Sequence, residues 1–230
     1  MKTPINRQIS IYTPKLSELP GFILQYFINT LGGQEKYIKE VMQKYLTPEL
    51  RHLRNDLHLL VELPYVDKMY RDTYYHYYAS RLKQYQRDTI RISFFEQPIH
   101  PSAQSTKEAI QEVIDSYVGF LIIRPTLPRL IGRNAIHPRA LNNNKFVCCR
   151  APIQSTTLGI KVTTAAFPHA SQDGQALSCA ETTIWSLLEY FGNKYPEYRP
   201  ILPSHIIRLL QKFSFKRQLP SDGLTAEQIA

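Results

Sequence analysis

The chain has 230 residues, 43% of them apolar, an ordinary share for a globular protein that buries a core, and room for one large domain or two small ones. Its 28 Lys and Arg against 19 Asp and Glu give a formal charge of +9. The surplus is spread out, at Arg51 and Arg54 and again at Lys216-Arg217. With no long basic run and no RNA-binding or finger motif, this argues against a nucleic-acid binder.

Targeting and covalent features are sparse. The opening MKTPINRQISIY has no apolar stretch of the secretory kind, and no apolar run is long enough to span a bilayer. Three cysteines do not make a disulfide framework, and their spacing fits no zinc site. A cytoplasmic protein with reduced thiols and no cofactor or metal is the expectation.

Residues 1–16 are polar and expected to be loosely ordered. Phe22, Ile23, Tyr26, Phe27 and Leu31 then share one helical face, and Gly32-Gly33 ends the pattern. A second helix is predicted over residues 34–46, with Tyr37, Ile38, Val41, Met42 and Tyr45 inward. Thr47 and Pro48 read as the start of a third, whose stripe is Leu50, Leu53, Leu57, Leu60 and Val61. Such helices pack on each other or on a neighbouring domain.

Residues 65–82, YVDKMYRDTYYHYYASRL, are dense in tyrosine. The pattern suits a helix face or a strand. Mixed with Arg71, His76 and Arg81, the rings could stack on bases, but core or interface packing with hydroxyls at the surface is the more common use. TIRISFFE (89–96) alternates as a strand does. Ser105 with Glu108 then reads as the capping box of a helix carrying Ala109, Ile110, Val113, Ile114 and Tyr117.

From Tyr117 the character turns to β. VGFLIIRP reads as a buried strand and TLPRLIGR as a turn-rich loop. NAIHPRAL and KFVCCRAPI read as short strands about the turn Asn142-Asn143-Asn144, which would put Cys148 and Cys149 on opposite faces. GIKVTTAAF (159–167) alternates and is β-branched.

The stretch 169–192, HASQDGQALSCAETTIWSLLEYFG, carries the chemistry. Ser178 reads as an N-cap and Glu181 as its capping-box partner. Ile184, Trp185, Leu187, Leu188 and Phe191 recur at helical spacing, and Gly192 suits a left-handed terminus, so a helix is predicted over 179–191. Cys179 then opens a helix, where unpaired N–H groups and the dipole favour thiolate. Gln172 upstream, or else Gln175, would donate to an oxyanion formed on an attacked carbonyl. Against this, Glu181 in the same turn would raise the thiol pKa, and a free cysteine is also a common small buried hydrophobe.

The order Gln-Asp, polar spacer, Cys, apolar helix and aromatic-Gly resembles the nucleophile segment of papain-like cysteine peptidases. It is most similar to the bacteriocin-processing, double-glycine-leader group and its bacterial relatives. The tail LPSDGLTAEQIA is similar to a Gly-Leu-Thr segment that opens a later helix in that group. The resemblance implies Cys179 as nucleophile and Gln172 as oxyanion donor. It differs at Ala180, where the group has glycine.

The resemblance also puts the family's histidine and its Asp or Asn orienter well downstream of the cysteine. It therefore implies a chain truncated before its general base. Thr225 with Gln228 reads as the cap of a helix cut short. Of the seven histidines, His169 reads as a surface or turn residue and His205 as the start of another helix, 201–213.

The expectation is therefore an α+β protein. It has a mainly helical region over 17–116 and, over 117–230, a β-rich segment leading into the front half of a papain-like domain. The leading function is a cysteine peptidase or related acyl-transfer hydrolase acting on peptide or isopeptide bonds of a peptide or protein substrate. The alternative is a non-catalytic binding protein derived from a truncated peptidase.

Overall fold

The computed structural model describes residues 9–32, 34–100 and 106–211, together with Pro220, Gly223 and Thr225. It is mixed α and β. Its frame is a six-stranded antiparallel sheet in the order β1-β2-β3-β4-β5-β8. The strands are β1 (Ser10–Tyr12), β2 (His58–Tyr65), β3 (Thr89–Phe95), β4 (Tyr117–Ile123), β5 (Ile131–Ile136) and β8 (His169–Ala170). A second sheet is the hairpin of β6 (Ala151–Thr157) and β7 (Ile160–Ala166).

Helices cover one face. α1 (Leu19–Leu31), α2 (Glu35–Tyr45) and the short α3 (Thr47–Leu50) bury Ile23, Phe27, Ile38 and Met42 against Val61, Ile92, Phe94 and Leu121 of the sheet. The α1 pattern ends as the sequence predicts, on left-handed Gly32, whose N–H donates to the Ile28 carbonyl. The opposite face carries Leu60, Phe120 and Ile122. It is covered by the β6–β7 hairpin and by α5 (Lys107–Ser116), through Ile153, Val162 and Val113. Burying both faces explains why β3 and β4 are buried along their whole length.

The chain departs from the predicted elements in several places. The third helix stops at Leu50, and Leu57 to Val61, expected on its stripe, belong to β2 and its approach. Leu59 and Val61 face α1 and α2 while Leu60 faces the hairpin, so the run is apolar because both faces are covered. Residues 10–12, expected to be loose, pair with β2 as β1. β3 and β4, on either side of residue 116, are paired along their length.

Cys148 and Cys149 precede β6 in irregular chain instead of lying on a strand. TLPRLIGR runs into β5. Ser105 and Gln228 lie outside the described residues, as do Lys216 and Arg217. Thr106 caps α5, its side chain accepting from the Ala109 N–H at 3.1 Å.

One glycine is sterically fixed. At Gly119 (φ 137°) the β3–β4 register shifts, and a Cβ there would lie 2.2 Å from the Ala135 carbonyl oxygen. The bulge lets Val118 and Leu121 face one side of the sheet and Tyr117 and Phe120 the other.

A third core lies beneath the segment that carries the site. The tyrosine-rich stretch resolves as α4 (Lys68–His76) and a following turn. Tyr70, Tyr77 and Tyr78 are buried against Leu177 of the loop before α6 (Cys179–Lys194), Trp185 of that helix and Ile206 of α7 (Pro203–Gln211). The hydroxyls are inside, not at the surface: that of Tyr70 donates to the Gln86 carbonyl at 2.7 Å. These buried rings offer no stacking platform for bases.

Candidate functional site

Cys179 is the first residue of α6 and is exposed. Ser178 (φ −85°, ψ −179°) and Glu181 form the predicted capping box. The buried Glu181 carboxylate accepts from the Ser178 N–H at 2.9 Å and from its hydroxyl. The helix runs past its predicted end to Lys194, so Gly192 is internal and not a left-handed cap. Its missing Cβ serves packing: one would sit 2.5 Å from the Pro200 nitrogen.

The loop before the helix is held by polar groups. Buried Asp173 accepts through one carboxylate oxygen from the N–H groups of Gln175, Ala176 and Leu177 at 2.8–2.9 Å. The N–H groups of Asp173 and Gly174 return to the Leu177 carbonyl. Gly174, at φ 70°, takes the left-handed turn this closure needs. Buried Arg124 donates to the Gln172 carbonyl at 3.1 Å. Burial, and then the Asp173 carboxylate, push the Tyr78 hydroxyl far above the ordinary phenol range, so it stays protonated beneath the loop.

The two candidate glutamines are thereby separated. The Tyr77 hydroxyl donates to the Gln175 side-chain oxygen at 2.6 Å. Gln172 instead lines a cleft of about 420 Å³ together with Cys179. Thr182, Thr183 and Ser186 of α6 also line it, as does Arg129. Thr182 and Thr183 donate to the Cys179 carbonyl at 3.0 and 2.8 Å, fixing the first turn.

His169 lines the same cleft, and it is the residue that the sequence reading passed over. It is no turn residue: it lies in β8 and pairs with Asn134 of β5 across the antiparallel register. The Asn134 side-chain nitrogen lies 3.2 Å from His169 Nδ1. His169 is exposed, in line with the surface position expected, and partial burial of the ring pushes its pKa below 6.5, partly offset by Glu49. The imidazole is therefore neutral at neutral pH. The Asn134–His169 pairing is a long-range product of the sheet, which no local pattern signals. Of the described histidines, His169 alone lines this cleft, while exposed His205 sits on α7.

With Asn134 Nδ2 donating to Nδ1, the neutral ring carries its proton on Nε2, which can then donate a hydrogen bond into the cleft but cannot take up a proton. With the amide turned over, its oxygen accepts Nδ1–H and Nε2 becomes a free base. Among the described residues, no group of three or more His, Cys, Asp or Glu is placed to hold a metal. No described helix is long and apolar enough to cross a membrane.

No family model, curated protein or solved structure matches the chain.

Proposed function

We propose that the protein is a cysteine-dependent acyl-transfer hydrolase, a papain-like cysteine peptidase or a relative of one, acting on peptide or isopeptide bonds. One observation carries the reading: an exposed thiol at the first residue of a 16-residue helix shares a cleft with a glutamine and a histidine.

In this reading the neutral His169 ring takes the thiol proton of Cys179 as the sulfur attacks the carbonyl carbon, and the C=O electron pair moves to oxygen. The Gln172 amide and the Cys179 N–H hold that oxyanion. Collapse breaks the C–N bond, and the leaving amine takes a proton from His169. Water, deprotonated by His169, then cleaves the thioester and returns the thiol. The thiols of Cys148, Cys149 and Cys179 are free, which suits a reducing compartment such as the cytoplasm.

The test is alkylation by iodoacetamide, read residue by residue by mass spectrometry. Cys179 is expected to react about tenfold faster than Cys148 or Cys149 at neutral pH. Equal, slow labelling of all three would remove the nucleophile. The second reading, a non-catalytic binding protein, draws on the apolar cleft beside the first, which could hold a ligand without chemistry. An inert Cys179 would leave that reading standing.

A further inference from the structure

The cleft at Cys179 does not end at His169. Phe167, His169 and Ser171 are shared with a second cleft of about 440 Å³. Its other walls include Leu53, Leu121, Ile136 and Leu141. Leu53 and Leu121 are buried core residues, and Leu53 bridges Leu141. The cleft is thus built on the sheet and exists without a ligand. Phe146, nearly half exposed at 47%, and Cys148, half-buried, complete one side, and its acidic residue is the exposed Glu49.

We propose that this second cleft is the recognition subsite for the polypeptide attacked by Cys179, taking a large aliphatic or aromatic side chain next to the scissile carbonyl. The proposal rests on the reading of Cys179 as nucleophile. Continuity carries it, because both clefts meet at the wall formed by Phe167, His169 and Ser171. The volume falls within the ~300–1,000 Å³ of sites that enclose whole ligands, so a Phe or Leu side chain fits with room for its neighbour.

The aliphatic walls select by desolvation: among the described residues the lining holds no Lys or Arg, so a carboxylate placed against those walls would lose water without gaining a counter-ion. An extended chain also suits the position. β8 ends the sheet order, and both of its residues line the Cys179 cleft, so a substrate lying there runs beside a terminal strand.

Two chloromethyl ketones, N-acetyl-phenylalanyl and N-acetyl-aspartyl, test this with iodoacetamide as the undirected control. The phenylalanyl reagent is expected to label Cys179 about tenfold faster than the aspartyl one. Once attached, it should shield Cys148 from iodoacetamide while Cys149 stays reactive. Phe146→Asp, at an exposed position, should remove the preference of the phenylalanyl over the aspartyl reagent.

Fast iodoacetamide labelling of Cys179 with equal rates for both ketones and an open Cys148 would overturn the subsite and leave the nucleophile in place. Slow labelling of Cys179 by all three reagents would overturn both. Self-association that shields Cys148 with no reagent present would give the cleft to a second copy of the chain, and that too overturns the proposal.

Discussion

The central strands and the loop before α6 are held in opposite ways. β3 and β4 are buried on both faces, and each side chain there is one of many that pack the layer. The loop over residues 171–178 has one carboxylate, Asp173, taking three backbone N–H groups, and one guanidinium, Arg124, on the Gln172 carbonyl. Packing distributes its effect over many contacts, whereas a hydrogen-bonded hub concentrates position in a single residue. Damage to the sheet should therefore lower stability without moving the site. Damage to the hub should move the site at a smaller cost in stability.

The largest effect is expected in the sheet. Phe94→Ala empties a fully buried position and should cost about 3–5 kcal/mol in urea unfolding. The alkylation rate of Cys179 in the molecules that remain folded should not change. Asp173→Ala comes next. It leaves three N–H groups without their acceptor and should cost about 2 kcal/mol, water replacing part of the loss. Here the Cys179 rate should change about tenfold relative to Cys149, because the loop carrying Gln172 and Ser178 is released. Asp173→Asn keeps an acceptor oxygen and should restore most of that rate. A Phe94→Ala protein with altered Cys179 reactivity, or an Asp173→Ala protein with none, would break the contrast.

The same contrast explains what the sequence disclosed. Elements with one covered face read well: α1 by its stripe, α2 by Ile38, Val41 and Met42 though Tyr37, expected inward, is exposed, and α6 at its start by Ser178 and Glu181. β7 alternates cleanly because its outer face meets solvent. β2 was misread because a strand covered on both sides has no alternation, and Leu57, Leu60 and Val61 also fit helical spacing.

In the cleft, Cys179 and Gln172 could be placed together from the sequence because one segment carries both. His169 could not, since its place depends on Asn134 in another strand. The buried Arg91, which donates to the Tyr117 hydroxyl at 3.2 Å and pairs with Glu62 at 3.6 Å, looked like an ordinary outward residue in an alternating strand. Only the hairpin stacked over that face buries it.

Gly192 sharpens the comparison at intermediate size. In the sequence it reads as a helix terminator; in the fold it is a packing position under Arg199 and Pro200. Gly192→Ala should therefore lower stability by about 1–3 kcal/mol through overpacking, where a residue in an open helix would gain from the change. A stabilised variant in thermal unfolding would mean that the helix is open at this position and that Pro200 does not crowd it.

The smallest effect concerns pH, and it tests the neutral state of the cleft imidazole. Burial holds the pKa of His169 below 6.5, and burial first, then Arg139 and Arg150, does the same for His137. Between the unfolded and folded values the unfolded chain binds more protons, so stability rises with pH. The contribution is fully present above 6.5 and is lost as pH falls through the folded values. Glu62 works in the opposite sense: burial raises its pKa above 4.5, so acid relieves a cost there. The histidine part must therefore be read as a difference. Urea midpoints at about pH 7.5 and about pH 5.5 should fall for the parent protein, and His169→Asn should remove part of that fall. An identical fall in both proteins would mean that the ring at the cleft takes up its proton as freely as in the unfolded chain.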